Sequence, residues 1–152
     1  MSEQILFYGR SKPFYCGSNF YPAPIKLDGK VWATTEHYFQ AMKFLDQGSQ
    51  DLVRIQPSPD HAAKVGRSKD MPLRRDWESA RDDVMRKAIK AKFTQHEDLK
   101  QELLATGEAE LVEDSPVDWY WGWGADRKGK NRLGVLLMEL RKELRETLVE
   151  SV

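Results

Sequence analysis

The sequence predicts an α+β fold: one mostly helical domain over residues 1–152, with a small antiparallel sheet formed by a hairpin. A chain of 152 residues suits a single domain with one hydrophobic core. In residues 25–32, apolar side chains flank Asp28-Gly29, a pair that favours a two-residue hairpin turn. After the hairpin, apolar residues recur mostly at the three- and four-residue spacing of amphipathic helices.

Capping residues indicate where several helices begin and end. Thr34 or Thr35 can cap the first helix, and Ser58 followed by Pro59 is a strong start signal for a later one. Gly107 indicates the end of another helix. The predicted elements are a strand at 5–8, an irregular aromatic loop at 11–24, the hairpin at 25–32, helices at 34–44, 49–56, 58–67, 75–93 and 96–106, a strand at 109–114, a Trp/Gly-rich loop at 115–131 and a closing helix at 132–148.

The composition excludes a protein that binds nucleic acid or membranes through its overall charge. The 24 basic and 24 acidic side chains cancel, so no net field attracts a polyanion. Cys16 is the lone cysteine, which fits a reducing compartment, and we interpret it as a buried or semi-exposed thiol rather than a nucleophile. No signal peptide and no apolar run of transmembrane length is recognised, so the sequence predicts a cytoplasmic protein.

A polar stripe runs along the helix predicted at 34–44. At about 100° per residue, Glu36, Gln40 and Lys43 fall within a narrow arc that has aromatic residues on both sides. Two interpretations are open: a solvated helix face, or the wall of a ligand pocket where a carboxylate, an amide and an ammonium group converge. The opposite face is predicted to pack in the core and consists of Tyr38, Ala41, Met42 and Leu45.

The segment "GADRKGKN" at 124–131 is nearly a phosphate-binding P-loop, but it fails two requirements. Asn131 replaces the hydroxyl residue that binds Mg²⁺, and no clear strand precedes the loop. A simpler anion site is open, in which free backbone N–H groups and nearby cations bind an anion while Asn131 caps the next helix. The alternative is a basic surface loop. The cations are Arg127, Lys128, Lys130 and Arg132.

Two further residues each have a structural and a functional interpretation. Trp77 falls on the apolar face of its predicted helix, where it can pack in the core or stack on a flat heterocycle. Asp118 lies among tryptophans in "VDWYWGWG", either as a buried acid suited to proton donation or as an exposed loop residue. The histidines and Cys16 show no metal-ligand spacing, so neither a metal nor a cofactor is predicted.

Five segments carry motifs that occur together in one family. They are "SNFYP" at 18–22, "TEHYFQAMKF" at 35–44, "RDWE" at 75–78, "VMRKAIKAKF" at 84–93 and "WGWGADRKGKNRLG" at 121–134. In this order they resemble the NADAR superfamily of YbiA-like N-glycosidases, and the resemblance runs from about Phe7 to Leu144. One departure is Arg127, which stands where the family usually has a glycine after the loop aspartate.

The resemblance implies a mostly helical enzyme that cleaves N-glycosidic bonds. One branch of the family hydrolyses phosphorylated ribosylamino-pyrimidine intermediates of riboflavin synthesis and releases ribose 5-phosphate. For this chain that branch implies a small-molecule partner. The alternatives are removal of ADP-ribose from guanine in nucleic acid, and a non-catalytic module that binds ADP-ribose or NAD. Nucleic acid is a partner only under the first alternative, and the oligomeric state is not predicted.

The resemblance also implies roles for particular residues. Glu36 would stabilise positive charge at the anomeric carbon or activate water. Lys43 would either bind the ribose or phosphate, or attack the anomeric carbon to form a Schiff base. Asp118 or Asp126 would protonate the leaving base, and Trp77 would stack on it. The substrate-binding set predicted from the motifs and the anion loop is Asn19, Phe20, Gln40, Trp77, Gly124, Arg127, Lys130 and Asn131.

Overall fold

The structure is a computed structural model, and it describes residues 3–150. Contacts group these residues into two compact units, Asn19–Gln95 and the segments before and after it. Within the described range, the predicted α+β class is confirmed: helices predominate, with one antiparallel and one parallel strand pair. The elements are β1 (Gln4–Phe7), β2 (Ile25–Leu27), β3 (Lys30–Trp32), α1 (Thr35–Ala41), α2 (Gln47–Arg54), α3 (Pro59–Gly66), α4 (Trp77–Gln95), α5 (Glu97–Ala105), β4 (Glu110–Glu113) and α6 (Arg132–Glu150).

The predicted hairpin opens the unit Asn19–Gln95. β2 and β3 pair antiparallel, and the turn residues Asp28 and Gly29 have φ angles of 55° and 76°. Both angles are positive, as the favoured two-residue hairpin turn requires, and aspartate and glycine are suited to such angles. The Asp28 carboxylate accepts hydrogen bonds from the Tyr38 hydroxyl at 3.0 Å and from Lys87 Nζ at 2.8 Å, which joins the turn to α1 and α4.

The first helix is shorter than its sequence pattern predicts. Thr34 caps α1, since its hydroxyl accepts the His37 backbone N–H at 3.1 Å, and the helix ends at Ala41. Every residue of α1 is buried. The core position predicted for Leu45 is wrong: this side chain is 71% exposed, because it lies beyond the helix end and no longer follows the helical period.

Four helices of this unit pack on the hairpin around one core. α1 contacts α2, α3 and α4, and α4 also contacts β2. Asp46 caps α2, and the predicted Ser58 cap of α3 is confirmed, with Pro59 in the first turn. Trp32 and Tyr38 meet edge to face at 5.2 Å between ring centroids. The buried core residues are Ile25, Trp32, Tyr38, Ala41, Phe44, Val53, Ala62, Ala88 and Ala91.

The other unit is organised around a parallel strand pair that the sequence pattern did not predict. β1 pairs with β4 in parallel, with Gln4 opposite Glu110 and Phe7 opposite Glu113. α6 packs on β4, and α5 packs on α6. A Cβ at Gly134 would collide with the carbonyl oxygen of Leu111, so this glycine allows α6 to begin directly against the strand.

Three other properties of the described part bear on the predictions. The Cys16 thiol is buried, in agreement with one of its two predicted states. No helix in residues 3–150 is long and apolar enough to cross a membrane. In the same range, no group of three or more His, Cys, Asp or Glu residues is placed to hold a metal ion.

Candidate active site

The polar stripe on α1 is buried, so the solvated-face interpretation is wrong for its first two members. Glu36 is 9% exposed and Gln40 is 5% exposed. Gln40 lies one turn after Glu36, and its Nε2 donates a hydrogen bond of 2.8 Å to Glu36 Oε2. Buried charges need such partners, because an unpaired carboxylate in a protein interior is costly. The amide therefore orients the carboxylate.

The Gln40 side chain lies directly against the backbone of α3. A Cβ at Gly66 would come within 2.9 Å of both Cβ and Cδ of Gln40, and closer still to its Oε1. Gln40 Oε1 is buried and has no hydrogen-bond partner among the described residues. An unsatisfied buried acceptor costs about 1–3 kcal/mol and calls for a functional explanation.

Lys43 follows the end of α1 on the same side of the helix as Glu36. Its Nζ lies 3.5 Å from the Gly66 carbonyl oxygen. Burial lowers the pKa of Lys43 below its usual value. The negative charge of Glu36 opposes this shift, and the positive charge of Arg67 adds to it. A lysine in such surroundings has more neutral amine at neutral pH, and neutral amine is the form that attacks carbon.

Beside Lys43 lies a cavity of about 530 Å³ within the unit Asn19–Gln95. Its volume is in the range of small-molecule sites. The walls come from the chain after α1, the end of α3, the segment 67–73 and the start of α4, and Glu36 is not part of them. The lining contains three cations and no carboxylate: it is formed by Lys43, Phe44, Gly66, Arg67, Ser68, Lys69, Met71, Pro72, Leu73 and Trp77.

Trp77 is packed against a neighbouring ring and also borders the cavity. The side chain is only 8% exposed, and its ring packs against Phe39 with centroids 5.1 Å apart. The same side chain lines the cavity from the first residue of α4. Trp77 thus packs against Phe39 and also borders the cavity, and its stacking on a flat ligand stays a prediction.

Arg67 and Lys69 are cavity residues that the sequence reasoning missed. They follow Gly66, the last residue of α3, in the segment "GRSK". In the sequence this segment indicates only the end of a helix. The available signal was two cations, two positions apart, directly after a terminal glycine. Sequence alone does not show that this run lies beside Lys43.

Of the residues predicted from "SNFYP", Asn19 is hydrogen-bonded within the fold and Phe20 is exposed at the surface. Asn19 Oδ1 accepts from the Thr35 hydroxyl at 2.8 Å, and its Nδ2 donates to the Met85 sulfur at 3.3 Å. The Asn19 carbonyl also accepts the Glu36 backbone N–H at 3.2 Å. Asn19 therefore positions the start of α1, whereas the Phe20 side chain is 41% exposed and accessible to a ligand.

In the Trp/Gly-rich loop, the backbone N–H groups of residues 127–131 are already bonded and are not free for the predicted anion site. The Lys128 N–H donates to Asp126 Oδ1 at 3.0 Å, and the next three N–H groups donate to loop carbonyls. Free N–H groups were the physical basis of that prediction. The bonded pairs are Arg127 with Gly124, Gly129 with Trp123, Lys130 with Trp119 and Asn131 with Gly122.

The predicted ligand groups of this loop mostly contact the loop itself. The Arg127 guanidinium lies 5.2 Å from the Trp123 ring centroid, and Lys130 Nζ lies 5.6 Å from that of Tyr120. Gly124 and Arg127 have φ angles of 71° and 61°. Such angles favour glycine, which gives a physical reason for the glycine usual at the position of Arg127.

Asn131 holds the loop against β4. Its Oδ1 accepts the Glu113 backbone N–H at 2.9 Å, and its Nδ2 donates to the Leu111 carbonyl at 2.9 Å. Both polar atoms of the amide are used, so this geometry gives no support to a free amide for ligand binding or helix capping.

The two loop acids differ in their surroundings. Asp118 is half-buried, and its Oδ1 accepts the backbone N–H groups of Tyr120 at 2.9 Å and Trp121 at 2.8 Å. This arrangement stabilises a turn. Asp126 is exposed, and one of its oxygens accepts the Lys128 N–H.

Comparison with known proteins identifies the family and the fold. The NADAR domain model matches residues 6–145. The solved structure of the Escherichia coli protein YbiA superposes with a TM-score of 0.89 at 51% identity, covering 99% of this chain and 90% of that one.

Relatives in three bacterial species carry functional names. "N-glycosidase YbiA" of Escherichia coli (strain K12) is 54% identical over 145 residues, which are 95% of this chain and 91% of that protein. "N-glycosidase Npun_R5314" of Nostoc punctiforme is 44% identical, with 95% and 94% covered. "Riboflavin biosynthesis protein VVA0006" of Vibrio vulnificus is 40% identical over 96% of this chain, but only 40% of that longer protein is covered.

Proposed function

The chain belongs to the NADAR domain family and is an N-glycosidase, and we propose that it hydrolyses phosphorylated ribosylamino-pyrimidine intermediates of riboflavin biosynthesis. The products would be ribose 5-phosphate and the free pyrimidine. A relative named as a riboflavin biosynthesis protein supports this substrate class. The observation that carries the proposal is the cavity in which Lys43, two further cations and Trp77 come together. Because the relatives are named as N-glycosidases, an enzyme is favoured over the non-catalytic binding module.

Glu36 is proposed to stabilise the positive charge that develops at the anomeric carbon. When the C–N bond breaks, its electron pair goes to the nitrogen of the leaving base, and the ribose carbon becomes cation-like. A buried carboxylate held by Gln40 can stabilise that charge or take a proton from the attacking water. Water supplies the hydroxyl group of the sugar product, and the base leaves after gaining a proton.

For Lys43, the lowered pKa supports the nucleophilic role over simple ion pairing. The amine would attack the anomeric carbon, displace the base and give a Schiff base on the opened sugar, which water then hydrolyses. Sodium borohydride added during turnover should reduce this imine and leave a sugar phosphate covalently attached to Lys43. Mass spectrometry of the protein detects the adduct, and its absence from turning-over enzyme would favour the binding role.

Trp77 is proposed to stack on the leaving pyrimidine, since its ring is fixed by Phe39 and lines the cavity. The proton donor would be Asp118 or Asp126, as the family motif implies; Asp118 Oδ1 already accepts two backbone N–H groups, and Asp126 is exposed. A fall in kcat in Asp126→Asn, with little effect on stability, would assign the role to Asp126. Asp118→Ala should mainly lower stability, because it removes both of these bonds.

The proposed reaction is tested by incubating purified protein with the ribosylamino-pyrimidine phosphate. Ribose 5-phosphate and the free pyrimidine should appear in equal amounts and faster than in the spontaneous reaction. A rate equal to the spontaneous one would contradict the proposal.

A second candidate is removal of ADP-ribose from guanine in nucleic acid. The observation that favours it is the exposed Trp119, 61% accessible, on a loop that also exposes Arg127, Lys128 and Lys130. Aromatic rings and cations of this kind suit single-stranded nucleic acid. Loss of label from an ADP-ribosylated oligonucleotide, with no turnover of the pyrimidine, would favour this candidate.

A further inference from the structure

The segment that follows α3 is a rigid turn that carries two long cations into the cavity wall. The Ser68 N–H donates to the Val65 carbonyl at 3.0 Å, and the Asp70 N–H donates to the Ser68 hydroxyl at 3.2 Å. Arg67 is the C-cap of α3, and its N–H bonds the carbonyls of the preceding helical turn. These backbone hydrogen bonds fix the positions from which the Arg67 and Lys69 side chains extend.

The charge of this wall is not balanced by the protein. Among residues 3–150, neither Arg67 nor Lys69 forms an ion pair with a carboxylate, and no acid lines the cavity. Neighbouring cations are paired: Lys64 contacts Asp60 at 3.3 Å, and Arg74 contacts Asp76 at 2.6 Å. Arg67 and Lys69 place two positive charges without an ion-pair partner beside Lys43, so an anionic ligand would be stabilised there.

The rest of the lining includes the apolar side chains of Met71, Pro72, Leu73 and Trp77, and the chain that carries them is held by hydrogen bonds. The Arg74 N–H donates to the Lys43 carbonyl at 2.9 Å, and its Nη1 donates to the Met42 carbonyl at 3.3 Å. These two bonds hold Arg74, which lies in the chain between Lys69 and Trp77, against the end of α1. The cavity therefore offers cations at one side and an aromatic surface at another, which fits a ligand with an anionic group and a flat ring.

We propose that Arg67 and Lys69 bind the phosphate group of the substrate in this cavity. A guanidinium and an ammonium group are the protein cations best suited to phosphate oxygens. The proposal rests on the proposed function of the same cavity. The proposed phosphate site is thus the turn after α3 and not the Trp/Gly-rich loop, where the N–H groups of residues 127–131 are bonded within the loop.

The test measures binding of ribose 5-phosphate and of unphosphorylated ribose by calorimetry. The variants are Arg67→Gln and Lys69→Gln. The matched control is Lys64→Gln, an exposed cation of the same helix that is paired with Asp60 and lies outside the cavity. Arg127→Gln tests the competing phosphate site in the Trp/Gly-rich loop.

Each of the two variants should weaken ribose 5-phosphate binding about tenfold, because one charge-assisted contact is lost. Ribose binding by both variants and ribose 5-phosphate binding by the Lys64→Gln control should be unchanged, and Arg67→Lys should retain most of the affinity. Unchanged binding in both Gln variants, a loss in Arg127→Gln instead, or no binding of ribose 5-phosphate by the wild type would overturn the proposal.

The outcome is distinguishable from that of the proposed reaction. If the wild type hydrolyses the pyrimidine substrate but the variants bind ribose 5-phosphate as well as the wild type does, the phosphate site is refuted and the proposed reaction is supported. If ribose 5-phosphate affinity depends on Arg67 and Lys69 but no hydrolysis occurs, the phosphate site is supported and the proposed reaction is refuted.

Discussion

Gly66 and Gln40 are in such close contact that a single methyl group on Gly66 could not be accommodated without moving Gln40. The added Cβ would lie 2.9 Å from the Gln40 Cβ. Gln40 in turn donates to Glu36 Oε2. A glycine in one helix thereby fixes the amide that orients a buried carboxylate in another.

Gly66→Ala should reduce catalytic activity more than it reduces stability. Overpacking costs about 1–3 kcal/mol, and displacing Gln40 removes a hydrogen bond to a charged group, worth about 1.5–3 kcal/mol. We expect kcat to fall about tenfold or more, with the protein still folded at 25 °C. Steady-state kinetics and thermal unfolding measure the two effects. The control is Gly48→Ala in α2, where the new Cβ meets its nearest atom at an ordinary 3.7 Å; an equal loss there would refute the positioning role.

The pH dependence of kcat/KM should report the pKa of Lys43. If the neutral amine is the nucleophile, activity rises with pH through this pKa, which lies below the usual lysine value. The charge of Arg67 contributes to lowering that pKa, so Arg67→Gln should move the rising limb to higher pH. Lys64→Gln should leave it in place. A limb that moves to lower pH, or does not move, in Arg67→Gln would contradict this role of the amine.

His37 should make the fold sensitive to acid. Burial lowers the pKa of His37, against the opposing effect of its bond to Gln56. Nε2 lies 3.0 Å from the Gln56 carbonyl and must donate to it, which leaves Nδ1 to accept from the Thr34 hydroxyl at 2.8 Å. This neutral ring has no free acceptor for a second proton.

The sign of the resulting pH effect follows from linkage. Below about pH 6.5, the unfolded chain binds a proton at His37 that the folded chain does not bind. The contribution of His37 to the free energy of unfolding is therefore fully present above that pH. It is lost as the pH falls towards the lowered pKa of the folded state. Urea unfolding at pH 7.5 and pH 5.0 should show this loss in the wild type and less of it in His37→Gln. The exposed His61→Gln serves as the control and should keep the wild-type loss. Equal pH dependence in wild type and His37→Gln would count against this account.

Gly134→Ala should destabilise the unit that contains β4. A Cβ there collides with the Leu111 carbonyl oxygen, a backbone atom that cannot rotate away. We expect a loss of about 1–3 kcal/mol in the free energy of unfolding. Gly9→Ala is the matched control, because nothing lies within 4 Å of its added Cβ. Denaturant unfolding distinguishes them, and equal stability of the two variants would show that α6 does not need this close approach.

Local sequence signals predicted those elements whose causes are local. The Asp28-Gly29 turn and the Ser58 cap depend on neighbours within a few residues, and both are present. The arc of Glu36 and Gln40 followed from helical geometry alone. What that arc faces depends on Gly66, which lies 26 positions after Gln40 and contributes nothing to the periodicity of α1.

The errors have tertiary causes. Leu45 was placed in the core because the pattern gave no sign that α1 ends at Ala41. In the basic loop, sequence does not show that the N–H groups of residues 127–131 already have acceptors within the same loop. The parallel pairing of β1 with β4 joins residues 106 positions apart, as between Gln4 and Glu110, and no local signal specifies such a partner.

The central claim is that the α1 stripe serves catalysis, with Glu36 acting on the ribosyl C–N bond. The most direct measurement is the initial rate of ribose 5-phosphate release from the ribosylamino-pyrimidine phosphate by wild type and Glu36→Gln, with Lys64→Gln as the control. We expect the Glu36→Gln rate to fall about a hundredfold or more, consistent with loss of a general base or charge-stabilising group. Equal rates in wild type and Glu36→Gln, or a wild-type rate no faster than spontaneous decay, would contradict the claim.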